Sequence, residues 1–329
     1  MTKHYNPYEK LGLLANPFPR IPIPAEENNV LVDVDGKFSL LKRLMEQTSI
    51  SGNSMVISLI GPYGSGKTHY LKALCREARK FERTLAIYVD NPGTDFFTIY
   101  KKTLEEIGID TLITVGLKQV KEALRLMSIN PELGYSWLLG EKLTYKERNK
   151  FNVRKNLDQE DAINILAETL KHIFTKYGRI TVLLIDELET ILDLNIITKQ
   201  RYLSSLRKFI DKTQYGLFMV IACTPAGWDT IVSNHPSLVR RVSRTIYLEN
   251  ATFSEMKLIV KEYLRRYLIS DNDEEDIIAD DVLKQVLEVT DGNIGETLRL
   301  LSIIVDEAAF EGLSEINVEF VKRVLSENV

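Results

Sequence analysis

The chain has 329 residues, with 42 Lys plus Arg against 46 Asp plus Glu and a formal net charge of −4. At about 150 residues per domain this suggests two domains with a sizeable core, and the near-neutral balance excludes a uniformly basic nucleic-acid clamp. Cys75 and Cys223 lie in separate apolar segments and read as reduced thiols of a cytoplasmic protein, His4, His69, His172 and His235 lack metal-ligand spacing, and the sequence has neither a membrane-length apolar run nor a signal-peptide core.

Residues 1–32 are rich in proline and aromatics, with Tyr5, Pro7, Tyr8, Asn16-Pro17-Phe18-Pro19-Arg20 and Ile21-Pro22-Ile23-Pro24. Prolines fix an extended path, so this stretch reads as an ordered strap packing Phe18 onto the protein rather than as a disordered leader. Asp35-Gly36 marks a turn, and 37–48 reads as an amphipathic helix with Phe38, Leu41, Leu44 and Met45 on one face. Met55 to Ile60 is a buried strand. Gly61-Pro62-Tyr63-Gly64-Ser65-Gly66-Lys67-Thr68 follows, and a helix from 68 to 80 follows that.

A glycine, four residues and Gly-Lys-Thr between a strand and a helix form the phosphate-loop pattern. Glycines let the backbone wrap phosphate oxygens, and the amides and helix N-terminus supply positive potential. Lys67 is expected to reach the β and γ phosphates and Thr68 to offer its hydroxyl to Mg²⁺. Gly61 through Thr68 and the adjacent His69 are thus the candidate nucleotide-binding residues.

A second strand runs from Thr84 to Val89, and Asp90-Asn91-Pro92-Gly93 breaks it. Thr94 or Asp95 caps a helix to Ile107. From 110 to 155 the pattern changes and reads as an insertion. It holds a helix at 117–127, then a less regular stretch with Trp137 and the basic residues Lys142, Lys146, Arg148, Lys150, Arg154 and Lys155. That run reads first as a solvated helical face and second as a track for a phosphate backbone. A helix covers 158–177.

Ile180 to Ile185 is a third strand and ends in Asp186-Glu187, where ligands bind in open α/β sheets. Asp186 is expected to hold Mg²⁺ and Glu187 to polarise the attacking water as general base. A helix at 198–213 carries Lys199, Arg201, Arg207 and Lys208. A fourth strand, Leu217 to Cys223, ends at Thr224, which reads either as a γ-phosphate sensor or as the cap of the next helix. Pro236 to Arg244 contains an arginine cluster and leads into a fifth strand, Thr245 to Leu248. Residues 254–269, 281–290, 294–311 and 315–327 then read as helices. The expected architecture is α/β: a five-stranded parallel sheet with flanking helices over 33–250, then an all-helical domain over 251–329.

This arrangement resembles an AAA+ ATPase, most similar to the origin-recognition and replication-initiator ATPases of archaea and eukaryotes. Tyr88-Val89-Asp90-Asn91, Ile185-Asp186-Glu187, and Pro236 to Leu248 leading into Ala251-Thr252-Phe253-Ser254 carry the likeness. A weaker likeness, to ATP-binding proteins of BREX-type phage-defence loci, runs through Trp137-Leu138-Leu139-Gly140-Glu141 and Ile185-Asp186-Glu187-Leu188-Glu189. The first resemblance implies ATP as ligand and a helical lid. It also implies an arginine before the last strand that reaches a neighbouring subunit's γ-phosphate; Arg240 and Arg241 are the candidates, ahead of Arg244. The family's usual lid arginine falls on Gly295, and Arg299, one turn later, is expected to substitute. The winged-helix domain that usually follows the lid has no counterpart before Val329, so any DNA contact is expected to be to phosphates.

The expected function is a homo-oligomeric ATPase whose nucleotide state controls assembly on or around DNA. Its alternative is an ATP-dependent switch that binds a protein partner through 110–155. A P-loop kinase is a third reading, for which no second substrate motif is present.

Overall fold

The computed structural model describes residues 6–21, 31–269 and 277–328; the strap segment 22–30 lies outside the described residues. A short 3-10 turn, Glu9–Leu11, precedes α1 (Lys37–Ser51), β1 (Met55–Ile60), α2 (Lys67–Lys80), β2 (Thr84–Val89) and α3 (Phe97–Ile107). Next come α4 (Ile109–Val115), α5 (Lys118–Met127), α6 (Pro131–Leu138), α7 (Tyr145–Lys150), α8 (Gln159–Tyr177) and β3 (Ile180–Ile185). A 3-10 turn at Leu188–Asp193 leads to α9 (Ile196–Lys212), β4 (Leu217–Cys223), α10 (Pro225–Asn234), α11 (Pro236–Val239) and β5 (Arg244–Tyr247). The chain ends in α12 (Phe253–Arg265), α13 (Asp280–Thr290), α14 (Ile294–Phe310) and α15 (Val318–Asn328).

The chain divides into two compact units. One holds residues 40–60 and 71–247; the other holds 1–39, 61–70 and 248–329. The sequence pattern places 61–70 with the sheet, whereas the compact units group it with the strap and the terminal helices.

In the first unit all strand pairings are parallel, in the order β2-β3-β4-β1-β5. Every residue of β3 and of β4 is buried. That is why their sequences are continuous apolar runs rather than alternating ones, since helices cover both faces of such a sheet. Register sets the functional edge. Ile60 pairs with Cys223, and Ile185 pairs with Val89 and Ile221. The carboxyl ends of β1, β2, β3 and β4 therefore lie along one side.

The stretch between α3 and α8 is more regular than its sequence suggests. It resolves into α4, α5, α6 and α7, with Leu112, Val120, Ala123, Leu126, Trp137, Leu138, Leu143 and Val153 in the sheet unit's core. Asn130 caps α6, its side chain accepting from Leu133 N, and a reciprocal Thr144–Glu147 capping box starts α7. The expected 198–213 helix begins at Ile196 because Asn195 caps it. The fifth strand lies one residue earlier than expected, and the last helix begins at Val318 rather than 315.

The second unit has its own core. Met256, Val260 and Leu264 of α12 pack with Val282 and Val286 of α13, Leu301 and Ile304 of α14, and Val321 of α15. Leu11, Leu13 and Phe18 of the strap join them. Backbone bonds stitch the strap down: Leu14 N donates to Tyr267 O, and Ile269 N to Gly12 O. Asp306 on α14 then gathers three strap donors, the Tyr8 hydroxyl at 2.7 Å, Asn16 Nδ2 at 2.8 Å and Arg20 Nε at 2.9 Å. The strap expected from the sequence is thus part of the helical unit's core over its described residues.

Phe18 is 4% exposed. Phe18→Ala is expected to destabilise the helical unit by about 3–5 kcal/mol through lost burial and a residual cavity. Denaturant unfolding checks this; a midpoint equal to wild type would mean the strap contributes no core.

Candidate functional site

The phosphate-loop residues lie in the helical unit. The chain leaves β1 at Ile60, turns through 61–66 and enters α2 at Lys67. Gly64 and Gly66 have φ of +78° and +92°, a region costly for other residues. Lys67 is buried, and its Nζ donates to the carbonyls of Gly61 at 2.7 Å and Pro62 at 2.9 Å. The ammonium therefore holds the start of the loop in a curl. Ser65 is buried and its Oγ has no hydrogen-bond partner among the described residues. The ideal Cβ position on Gly66 has open space around it. Tyr63 stands out at 74% exposure, its ring centroid 5.5 Å from Lys67 Nζ. Thr68 and His69 are half-buried in the first turn of α2. An orphaned buried hydroxyl, a buried lysine, positive-φ glycines and a helix N-terminus suit a polyphosphate.

The acidic residues lie in the sheet unit, at the carboxyl end of β3. Asp186 is 2% exposed. Its Oδ2 accepts from the Tyr88 hydroxyl at 2.9 Å, and its Oδ1 accepts from Glu187 N at 3.0 Å. Burial, then the Asp186 charge, push the Tyr88 hydroxyl far above its ordinary pKa, so Tyr88 stays a donor. Glu187 is exposed and adopts a left-handed conformation, φ 52° and ψ 41°. Its carbonyl accepts from Thr190 N and Oγ1, which ties this turn to the 3-10 segment. Two consecutive carboxylates thus receive opposite settings, one buried and bonded, the other displayed.

Thr224 is buried at the end of β4, and its Oγ1 accepts from Gly227 N at 3.3 Å, capping α10. A hydroxyl that accepts in this way keeps its own proton to donate.

The arginines separate clearly. Arg241 is held on its own surface, with Nε 2.8 Å from Asp211 Oδ1, Nη2 3.2 Å from Oδ2, and Nη1 donating to Ser237 O. Arg207 lies 4.0 Å from the same carboxylate. Arg240 is exposed and its side chain forms no hydrogen bond or ion pair among the described residues, and the same holds for the side chain of Arg244. Of the two first candidates only Arg240 presents a free guanidinium. In the helical unit, Arg299 Nε pairs with Glu296 at 2.8 Å.

Sequence reasoning missed two contributors. Tyr88 reaches Asp186 from the neighbouring strand, and Asn293 donates to Tyr63 O at 2.6 Å. The signal for Tyr88 was its position in β2, paired in register with Leu184 near the end of β3.

A family model described as an ATPase domain predominantly from Archaea matches residues 40–300. A comparison with curated protein sequences finds no match. Among solved structures, the chain is similar to the Aeropyrum pernix ORC2 protein in ADPNP–ADP complexes, at 16% identity and a TM-score of 0.58, covering 92% of this chain and 70% of that one. It is similar to Cdc6p from Pyrobaculum aerophilum at 16% identity and 0.56, covering 92% and 69%. It also resembles the Aeropyrum pernix ORC1 protein, solved in complex with DNA, at 15% identity and 0.55, covering 93% and 68%. These structural likenesses establish a shared P-loop ATPase fold. The chain belongs to the ATPase-domain family whose model it matches, and its activity is ATP hydrolysis.

Glu187→Gln is expected to keep nucleotide binding and lower turnover by about a hundredfold or more, as loss of a general base does. Single-turnover hydrolysis alongside equilibrium nucleotide binding checks this; normal hydrolysis would remove Glu187 from the base role.

Proposed function

We propose that this ATPase uses its nucleotide state to control self-assembly on or around DNA, and that Arg240 completes the hydrolytic site of a neighbouring copy. The observation that carries the reading is the contrast at the end of α11. Arg241 and Arg207 share Asp211, while the exposed Arg240 guanidinium has no partner among the described residues. A guanidinium displayed just before the last strand suits a role in trans, where such a group is worth about 10³–10⁵ in rate.

The residue roles follow from their chemistry. Lys67 and the loop amides bind the phosphates. The Thr68 hydroxyl and the Asp186 carboxylate are hard oxygen donors, the ligand type Mg²⁺ prefers. Mg²⁺ would neutralise phosphate charge, and Tyr88 orients Asp186 for that task. Glu187 accepts the proton of the attacking water, Thr224 donates its hydroxyl proton towards the γ-phosphate, and Arg299 substitutes for the usual lid arginine.

Two observations support DNA. One of the similar structures is of a protein in complex with DNA. Lys142 and Lys146 are exposed and in no ion pair among the described residues, whereas Lys155 is paired with Asp158 and Asp161 and Lys208 with Glu160. Lys142 and Lys146 therefore mark the candidate phosphate-contacting surface of the insertion. The alternative is a switch that docks a protein on the insertion. Ile129, Tyr135 and Tyr145, exposed on that segment, favour it.

ATP turnover per subunit is expected to rise steeply with protein concentration and further with DNA. Arg240→Ala is expected to lose most of that rise, about a hundredfold or more of the assembled rate, while Arg241→Ala keeps it. Steady-state turnover over a protein dilution series, with and without DNA, checks this; turnover flat in concentration would overturn the assembly reading, and blindness to DNA would favour the protein-docking switch.

A further inference from the structure

The helical unit contains a direct connection between α14 and the phosphate loop. Asn293, the residue before α14, uses both ends of its amide. Its Oδ1 accepts from Glu296 N at 3.1 Å and caps the helix, and its Nδ2 donates to Tyr63 O at 2.6 Å. Two residues on, Gly295 N donates to Gly64 O at 3.1 Å. The start of a helix has backbone N–H groups with no partner inside the helix, and here a loop carbonyl takes one of them. The approach is close: a Cβ on Gly64 would sit 2.2 Å from Asn293 Oδ1. The turn feeding α14 is itself pinned, because Ala251 N donates to Gly292 O at 2.8 Å and a Cβ on Gly292 would meet Ala251 O at 2.3 Å.

A trans peptide holds its carbonyl and the following N–H on opposite sides. Drawing the Tyr63 and Gly64 carbonyls to α14 therefore turns the amides of Gly64 and Ser65 away from it. A carbonyl that accepts a hydrogen bond also makes the N–H of the same peptide a better donor. The contacts fix the orientation of the two central peptides of the loop and strengthen the Gly64 N–H, while the Ser65 N–H donates within the loop to Pro62 O at 3.3 Å.

We propose that Asn293, aided by the Gly295 amide, is a positioning residue for nucleotide binding, a latch by which α14 sets the phosphate loop in its nucleotide-gripping geometry. Position 295, where the sequence resemblance leads one to look for an arginine, serves here through its backbone. The proposal rests on the reading that residues 61–68 bind the nucleotide phosphates.

Asp and Ser are both good helix N-caps, which allows capping and latching to be separated. Asn293→Asp keeps the cap and replaces the Nδ2 donor with an oxygen facing the Tyr63 carbonyl. Asn293→Ser keeps the cap and is too short to reach Tyr63. The measurement is stopped-flow release of fluorescent N-methylanthraniloyl-ADP from the full chain, together with thermal melting without nucleotide. Release is expected to be about tenfold faster for Asn293→Asp and severalfold faster for Asn293→Ser, the scale of one lost hydrogen bond. Melting temperatures are expected to stay close to wild type. Release at the wild-type rate from Asn293→Asp would overturn the latch, as would a lowered melting temperature with unchanged release. Lys67→Ala serves as the control on the underlying reading. If it binds the labelled nucleotide normally, the phosphate-loop assignment fails independently of the latch.

Discussion

The parallel pairing of β1, β3 and β4 is the constraint from which the sheet unit's chemistry follows. Parallel neighbours cannot be joined by a tight turn, so each connection must cross back over the sheet, usually as a helix. Helices then cover both faces, and β3 and β4 are buried along their whole length. Because every strand runs the same way, the carboxyl ends collect along one side. There the polar groups that follow the buried strands sit: Asp186 after β3 and Thr224 after β4. The register that buries Leu183 beside Met219 also sets the depth of Asp186.

The same logic governs how polar groups are tolerated inside. Ser58 Oγ meets Thr245 Oγ1 at 2.8 Å across β1 and β5, whereas Thr181 Oγ1 on β3 is buried without a hydrogen-bond partner among the described residues. Asp186 receives a tyrosine hydroxyl and a backbone amide, which compensates a carboxylate for lost water. In the helical unit Asp306 receives three donors from the strap. Arg20 in that set is well exposed, so its ion pair contributes little beyond direction, and the apolar anchors Leu11, Leu13 and Phe18 carry the strap's attachment.

Legibility in the sequence tracked the range of the interaction. The strands were legible because burial on both faces writes continuous apolar runs. The phosphate loop and Asp186-Glu187 were legible because the chemistry demands fixed residue types at fixed local spacing. The short helices α4, α6 and α7, of 7, 8 and 6 residues, were not. Helices of that length owe their existence to packing and caps rather than to propensity. Side-chain partners distant in sequence were hidden altogether. Tyr88 and Asp186 are 98 positions apart, and Asn293 and Tyr63 are 230 apart. The arginine cluster was visible as a cluster, but which member is free depended on Asp211, 30 residues before Arg241.

Glu187 shows how the sheet's geometry and the proposed chemistry meet at one backbone position. An extended strand would send residues 186 and 187 to opposite faces of the sheet, both into helix-covered core. The left-handed turn at Glu187 breaks that alternation, leaving Asp186 buried against Tyr88 and Glu187 in solvent. For a residue with a Cβ this conformation costs on the order of 1 kcal/mol, a cost glycine would not carry. The bonds from Thr190 to the Glu187 carbonyl hold the strained residue in place. A glycine there would relax the turn and provide no carboxylate. Under the proposed mechanism the strain is therefore the cost of presenting a base where the chain leaves β3 and faces water.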